Sequence, residues 1–212
     1  THTLSISAGN GRGNGPIGLA PEADLIFVHF STSTAEGPTL LGDSVALLEA
    51  LDFIAEAAGS RPFVVNMSLG RQAGQHDGKT LTEQGMDAFL LAARGRAIVQ
   101  STGNYYNRRI HVQGTVRPGQ SQSFRLITEE SDRTPNEVDL WYPGIDRLQV
   151  LLRGPGDGPT IRVGPEEHKS IVIGEREVGR LYHRIGDPNN SDNQVTLFLN
   201  ADAPFGEWEV TL

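Results

Sequence analysis

Two segments of this chain end alike. "FVVNMSLG" at 63–70 and "AIVQSTGN" at 97–104 each run from β-branched apolar residues into Ser, Gly and Asn. In an open α/β sheet, ligands gather beyond the carboxyl ends of the strands. Small side chains there let a substrate backbone approach, and glycines free the local φ/ψ. The Asn104 carboxamide, at the tip of the second segment, is of the type that donates to a developing oxyanion, where one such donor is worth about 2.7–4 kcal/mol. The same side chain could equally cap a loop or satisfy backbone groups.

Other polar clusters carry less chemistry. "GNGRGNGPIG" at 9–18 has the glycines of a phosphate cradle but neither a preceding strand nor a following helix start. His76 and Asp77 are adjacent in "GQHDGKT", a poor geometry for a dyad, and Asp77 reads as a turn former before a helix. Asp187, Asp192 and the asparagines of "GDPNNSDN" could offer oxygen ligands to calcium, but turn chemistry accounts for them. His111, His168 and His183 show no metal-ligand spacing, so no metal or other cofactor is expected. Trp141 and Trp208 are expected to fill a core.

The elements that must position these residues follow two grammars. In the first half, "DLIFVHF" at 24–30 reads as a buried strand. "DSVALLEALDFIAEAAG" at 43–59 reads as a helix capped by Asp43 or Ser44, with Leu47, Leu48, Leu51, Ile54 and Ala55 on one face and Gly59 past its end. "FVVNMS" is the next strand. "TLTEQGMDAFLLAARG" at 80–95 then supplies a Thr80-x-x-Glu83 capping box and a terminating Gly95, and "AIVQS" is the last strand. Strands alternating with helices predict a parallel sheet covered by helices.

After Asn104 helical periodicity gives way to short alternating runs: "HVQGTV", "SFRLIT", "EVDLWY", "LQVLLRG", "TIRVG", "SIVIG", "GRLYHRI", "QVTLFLN" and "EWEVTL". Turn clusters such as "RPGQ" and "RGPGDGP" separate them. This spacing predicts an antiparallel sandwich, specifically a jelly roll. The expected division is 1–107 for the α/β part and 108–212 for the sandwich.

Composition narrows the function. The 212 residues are 37% hydrophobic and 21% charged, as in an ordinary globular protein. A formal net charge of −8 leaves no basic surplus for a nucleic-acid backbone. No apolar run approaches the ~18 residues of a membrane span, and cysteine is absent, which removes disulfides and thiolate metal sites.

The order "THTLSISAGN … GLAPEADLIFVHF … FVVNMSLG … AIVQSTGN" resembles the subtilisin-like serine peptidases, collinearly over 1–107. In that family His-Gly-Thr-His-Val-Ala-Gly carries the catalytic histidine, Asn-Met-Ser-Leu-Gly lines the cleft, and Ala-Ala-Gly-Asn ends in the oxyanion asparagine. The resemblance implies that Asn104 is the oxyanion donor. It implies that Ser68, Leu69 and Gly70 pair with an extended peptide substrate, and that Ser101, Thr102 and Gly103 wall the primary specificity pocket. "GNGRGNGPIG" resembles the glycine-rich loop after the histidine helix. The match also aligns His2 with the second, non-catalytic histidine of the motif. The catalytic histidine is then expected two positions before Thr1. The aspartate motif and the Gly-Thr-Ser-Met-Ala nucleophile motif are absent from the 212 residues. All three members are needed for the relay, so the chain is expected to be an internal piece of a protease, inactive alone.

The second half resembles the β-domain inserted after the oxyanion asparagine in bacterial spore-germination-type subtilases, carried by "EVDLWYPGIDRLQVLLRGPGDG" and "APFGEWEVTL". The implied partners are a peptide or protein substrate and the remaining segments of the parent catalytic domain. Self-association through exposed sheet edges is also expected. An extracellular or cell-envelope location goes with the resemblance. The competing reading is a non-catalytic binding or scaffold protein, a degenerate subtilase half joined to a lectin-like sandwich. That reading requires exposed aromatics on one face, whereas the aromatics (7%) are expected mostly at inward positions.

Overall fold

The computed structural model describes residues 2–29, 44–70 and 72–212, with the backbone of Ser33–Thr34 and Gly37–Pro38. The chain divides into two compact units, Thr1–Gln72 with Leu81–Asn104, and Ala73–Thr80 with Tyr105–Leu212.

In the first unit the described elements are α1 (His2–Ala8), the short ladder β1 (Ser33–Thr34) with β2 (Gly37–Pro38), α2 (Ser44–Ala58), β3 (Phe63–Met67), α3 (Leu81–Leu91) and β4 (Arg96–Gln100). Strands β3 and β4 pair in parallel, from Phe63 opposite Arg96 to Met67 opposite Gln100. Helix α2 buries Leu51, with Leu47, Leu48, Ile54 and Ala55 beside it, against Val65, Met67 and Phe89. These are the face residues that the 3.6-residue period singles out. Gly59, at φ +61°, ends the helix, its N–H donating to Ala55 O at 3.0 Å. The other face of the two strands is open, with Val64 66% and Val99 54% exposed.

One expected strand of this half is missing. Residues 24–29 of "DLIFVHF" form no strand, and Leu25 and Phe27 are exposed. An apolar run becomes a strand only when a neighbour completes its ladder. Among the described residues β3 and β4 pair only with each other, so this run has no partner. Phe30, its last residue, lies outside the described residues, as does Asp43, one of the two candidate caps of α2.

The second unit holds two four-stranded antiparallel sheets. One has the order β6 (Asn136–Tyr142), β11 (Asn193–Leu199), β10 (Arg176–Arg184), β9 (His168–Ile173). The other has β5 (Ser123–Thr128), β12 (Gly206–Thr211), β7 (Val150–Arg153), β8 (Thr160–Val163). Both contribute to one core that includes Leu152, Val163, Ile171, Leu181, Leu197 and Trp208. The first two strands pair with the last two, β5 with β12 and β6 with β11, while β7 with β8 and β9 with β10 are local hairpins. Gly179 lets β10 lie close to β11: a Cβ there would sit 2.3 Å from Phe198 O.

Two expectations for this half change. "HVQGTV" forms no strand, and Val112 is 61% exposed. It has no ladder partner among the described residues, and Gly114 interrupts its β-branched run. Trp141 is not in the core. Alternation along β6 turns Tyr142 inward and therefore Trp141 outward, where its indole Nε1–H donates to Asp139 Oδ2 at 2.9 Å. Tyr182 and Phe198 share that outer face with ring centroids 6.1 Å apart, so the outward aromatics are more numerous than expected. Trp208 is fully buried, as expected.

His183, 1% exposed, lies with its Nε2 2.6 Å from the Tyr142 hydroxyl. Burial lowers the imidazole below its ordinary 6.5, with the backbone of Val163 and Gly164 and the Glu167 carboxylate pulling the other way. Burial also raises the Tyr142 phenol above 10.0. The unfolded chain therefore binds a proton at His183 first as pH falls, and loses one at Tyr142 first as pH rises. The pair's contribution to stability is whole between 6.5 and 10.0. It is lost as pH drops through the lowered imidazole value or rises through the raised phenol value. Urea midpoints across pH should fall more steeply below 6.5 in the natural chain than in His183→Gln. Parallel curves would contradict this.

Candidate substrate cleft

Helix α1 is followed by the glycine-rich stretch, which closes on itself as a loop. Asn10 bridges Ile17, and Gly18 N–H donates to Gly9 O at 2.7 Å. His2, which the motif match aligns with the non-catalytic histidine, begins α1 and is exposed.

The parallel pairing of β3 and β4 brings the two small-residue segments side by side. Beyond the Met67–Gln100 pair, Ser101 N–H donates to Met67 O at 3.0 Å, extending the ladder by one bond. Residues 68–70 and 101–104 therefore leave the same sheet end as neighbours. Ser68, Gly70, Ser101, Thr102, Gly103 and Asn104 are exposed, and Leu69 is half-buried.

Each segment is shaped locally. Asn66 Nδ2–H donates to Ser68 Oγ at 3.0 Å, which orients the hydroxyl at the start of the first wall. Gly103 adopts φ +87°, and its N–H donates to Ser101 Oγ at 3.2 Å. Asn104 follows directly on this turn. Asn104 is exposed, and among the described residues no hydrogen bond engages its carboxamide.

Gln100 is the residue that residue-type reasoning passed over. Its Nε2 donates to Leu69 O and, at 3.2 Å, to Ser101 O, so a single amide ties the two walls together. A Cβ on Gly70 would lie 3.2 Å from that nitrogen, a close approach that the end of the Gln100 side chain relieves by a small shift. The available signal was a long amide closing an otherwise apolar strand.

The remaining candidates have other roles. Asp187 Oδ1 accepts from Asn189 N–H (2.9 Å) and Gln75 Nε2 (3.0 Å), while Asp192 Oδ2 accepts from Asn190 Nδ2 (3.3 Å). Their carboxylates are thus engaged by N–H donors of their own turn and, at Asp187, also by Gln75. Asp77 likewise accepts from Lys79 N–H at 3.0 Å, the turn role expected of it. His168 stacks on Tyr182, and His111 is exposed elsewhere. Among the described residues no three acidic or imidazole groups gather as a metal site.

The model of the subtilase family (Peptidase_S8) matches residues 1–169, continuing well past Asn104 into the second unit. Among solved structures the chain is similar to the CspB protease of Clostridium perfringens, with a TM-score of 0.80 and 22% identity. That similarity covers 100% of this chain and 45% of the other, so the chain spans less than half the length of that structure. At this identity the likeness speaks for the fold. No curated protein matches. With the family match over most of its residues, the chain belongs to the subtilase family.

Proposed function

We propose that this chain is part of a serine endopeptidase that cleaves peptide bonds through an acyl-enzyme. Asn104 donates to the tetrahedral oxyanion. Residues 68–70 pair with the extended substrate as an edge, and Ser101, Thr102 and Gly103 wall the primary pocket. The observation that carries this reading is the parallel register of β3 and β4, which lets residues 68–70 and 101–104 leave the same end of the sheet. Residues in those roles supply binding and electrostatic stabilisation. Nucleophile, base and orienting acid come from other segments of the parent, and the chain alone does not hydrolyse peptides.

Those segments would cover the open side of β3 and β4, where Val64 and Val99 are exposed. Without them the same apolar strip drives self-association. The sandwich is read as a jelly-roll insert placed after the oxyanion asparagine, supported by the outer pairings of β5 with β12 and β6 with β11.

A second reading, a carbohydrate-binding scaffold, gains support from the outward Trp141, Tyr182 and Phe198. One experiment separates the two: the full-length protein is treated with a fluorophosphonate serine-hydrolase probe. Labelling with peptide turnover is the expected result. A full-length protein that stays unlabelled and instead retains an immobilised polysaccharide would replace the protease reading with the second one.

A further inference from the structure

The parallel ladder of β3 and β4 ends where the two small-residue segments begin. In such a ladder every second residue of a strand offers its backbone groups to the same neighbour. Ser101 N–H donates to Met67 O at 3.0 Å. One more period of the ladder would therefore set Gly103 N–H on Leu69 O. Gly103 instead has φ +87°, and its N–H donates to Ser101 Oγ at 3.2 Å. The turn thus deprives the Leu69 carbonyl of its ladder donor at the point where the segments part.

A side chain takes the place of that donor. The Gln100 amide nitrogen can donate twice, and it donates to Leu69 O and, at 3.2 Å, to Ser101 O. All of these residues lie within the first unit. Ser101 is consequently held at each polar group: its N–H by Met67 O, its carbonyl by Gln100 and its hydroxyl by Gly103 N–H. On the first wall, Met67 O and Leu69 O are both engaged from the β4 side. In an extended edge the carbonyls of Ser68 and Gly70 then face the opposite way. Among the described residues that side of β3 carries no strand.

We propose that Gln100 is a positioning residue for peptide cleavage: its carboxamide replaces the missing ladder bond, keeping residues 68–70 in register as a substrate edge while 101–104 turn away to wall the pocket. A cleft needs both conditions. Segments that went on pairing would leave no gap between them, and segments that parted freely would lose the geometry of the edge. A peptide long enough to lie along 68–70 gains from an edge ordered beforehand, because binding is then spared the cost of ordering it. Both Gln100 bonds go to the protein's own carbonyls and none to substrate. Its loss therefore acts on KM for long substrates rather than on kcat.

This inference rests on the protease reading. The test compares the full-length protein with Gln100→Glu, which keeps the shape of the side chain but has no donor when ionised, and with Gln100→Lys, which restores donors. Gln100 is exposed, so neither change opens a cavity in the core. Values of kcat and KM are measured for an extended peptide and for a single-residue ester. Amide hydrogen exchange is followed over 97–104, where the Ser101 and Gly103 N–H groups are bonded. In Gln100→Glu, KM for the peptide should rise about tenfold, the upper value for one hydrogen bond lost. Exchange over 97–104 should quicken, while kcat and the ester kinetics stay unchanged. Gln100→Lys should recover most of the peptide KM, which a loss of packing alone would not allow.

Equal losses in Gln100→Glu and Gln100→Lys would overturn the proposal, and so would a fall in kcat for both substrates. Quickened exchange with an unaltered peptide KM would leave the amide a structural tie and end its substrate role. Unaltered exchange in Gln100→Glu would remove the tie itself. A natural protein without turnover would sink the protease reading and the substrate role with it, a result distinct from all of these because no activity remains to compare. Should Gln100→Glu fail to fold, Gln100→Met, of similar length and without a donor, is read in its place.

Discussion

If the full-length protein is the proposed protease, replacing its Asn104 by Ala is expected to lower kcat by about 10²–10³ and leave KM nearly unchanged. The carboxamide is exposed and unengaged among the described residues, so the ground-state enzyme loses no internal hydrogen bond with it. On the proposed reading, what is lost is a donor whose partner exists only when the substrate carbonyl becomes an oxyanion. An interaction made only in the transition state lowers kcat and kcat/KM together. The magnitude was measured in a subtilase and is therefore a family value. Asn104→Asp sharpens the test. It keeps a side chain able to accept from backbone N–H groups, as a loop cap would, but sets an anion against the developing charge. Activity should fall at least as far as with Ala. Retained activity in the Asp variant, with the Ala variant merely less stable, would return Asn104 to a structural role.

The largest expected loss of stability follows from Trp208→Ala. The side chain is fully buried, its Nε1–H donates to Pro204 O at 3.2 Å, and its strand neighbour across the ladder is Leu126. Removing it deletes the largest buried apolar surface of the sandwich and leaves a cavity between two sheets that cannot collapse onto each other. Such truncations cost about 3–5 kcal/mol, against a total stability of about 5–15 kcal/mol for a domain. Urea unfolding of the chain followed by far-ultraviolet circular dichroism should show the sandwich transition at much lower denaturant. A midpoint within experimental scatter of the natural chain would mean that the core does not depend on this ring. Its sequence partner behaves differently for a plain reason: Trp141 stands on the outer face, where the indole serves Asp139 rather than the core.

Much of the architecture is written in local pattern. The stripe Leu47, Leu48, Leu51, Ile54 and Ala55 specifies one buried helix face, and Gly59 its end, because 3.6-residue periodicity and left-handed caps are properties of neighbouring residues. The runs that become β3 and β4, the small residues beyond them, and eight of the nine sandwich strands are legible for the same reason.

Pairing and docking are not local, and the expectations that changed all depend on them. "DLIFVHF" and "HVQGTV" have strand composition, but a strand also needs hydrogen-bond partners from distant residues, and neither run finds one among the described residues. Which face Trp141 occupies depends on the phase of β6 against the core, a difference of one residue that composition does not carry. Gln100 gained its role from the register that sets it opposite Met67. Most of all, "AGQHDGKT" reads as a loop between a strand and a helix of the α/β half. Its attachment to the sandwich through Asp139, Asp187 and Asn190 joins residues 65 to 113 positions apart. The chain's composition and periodicity therefore determined its elements and its family motifs. The partners of those elements were settled by long-range hydrogen bonds, whose energy depends on geometry that exists only once the chain has folded.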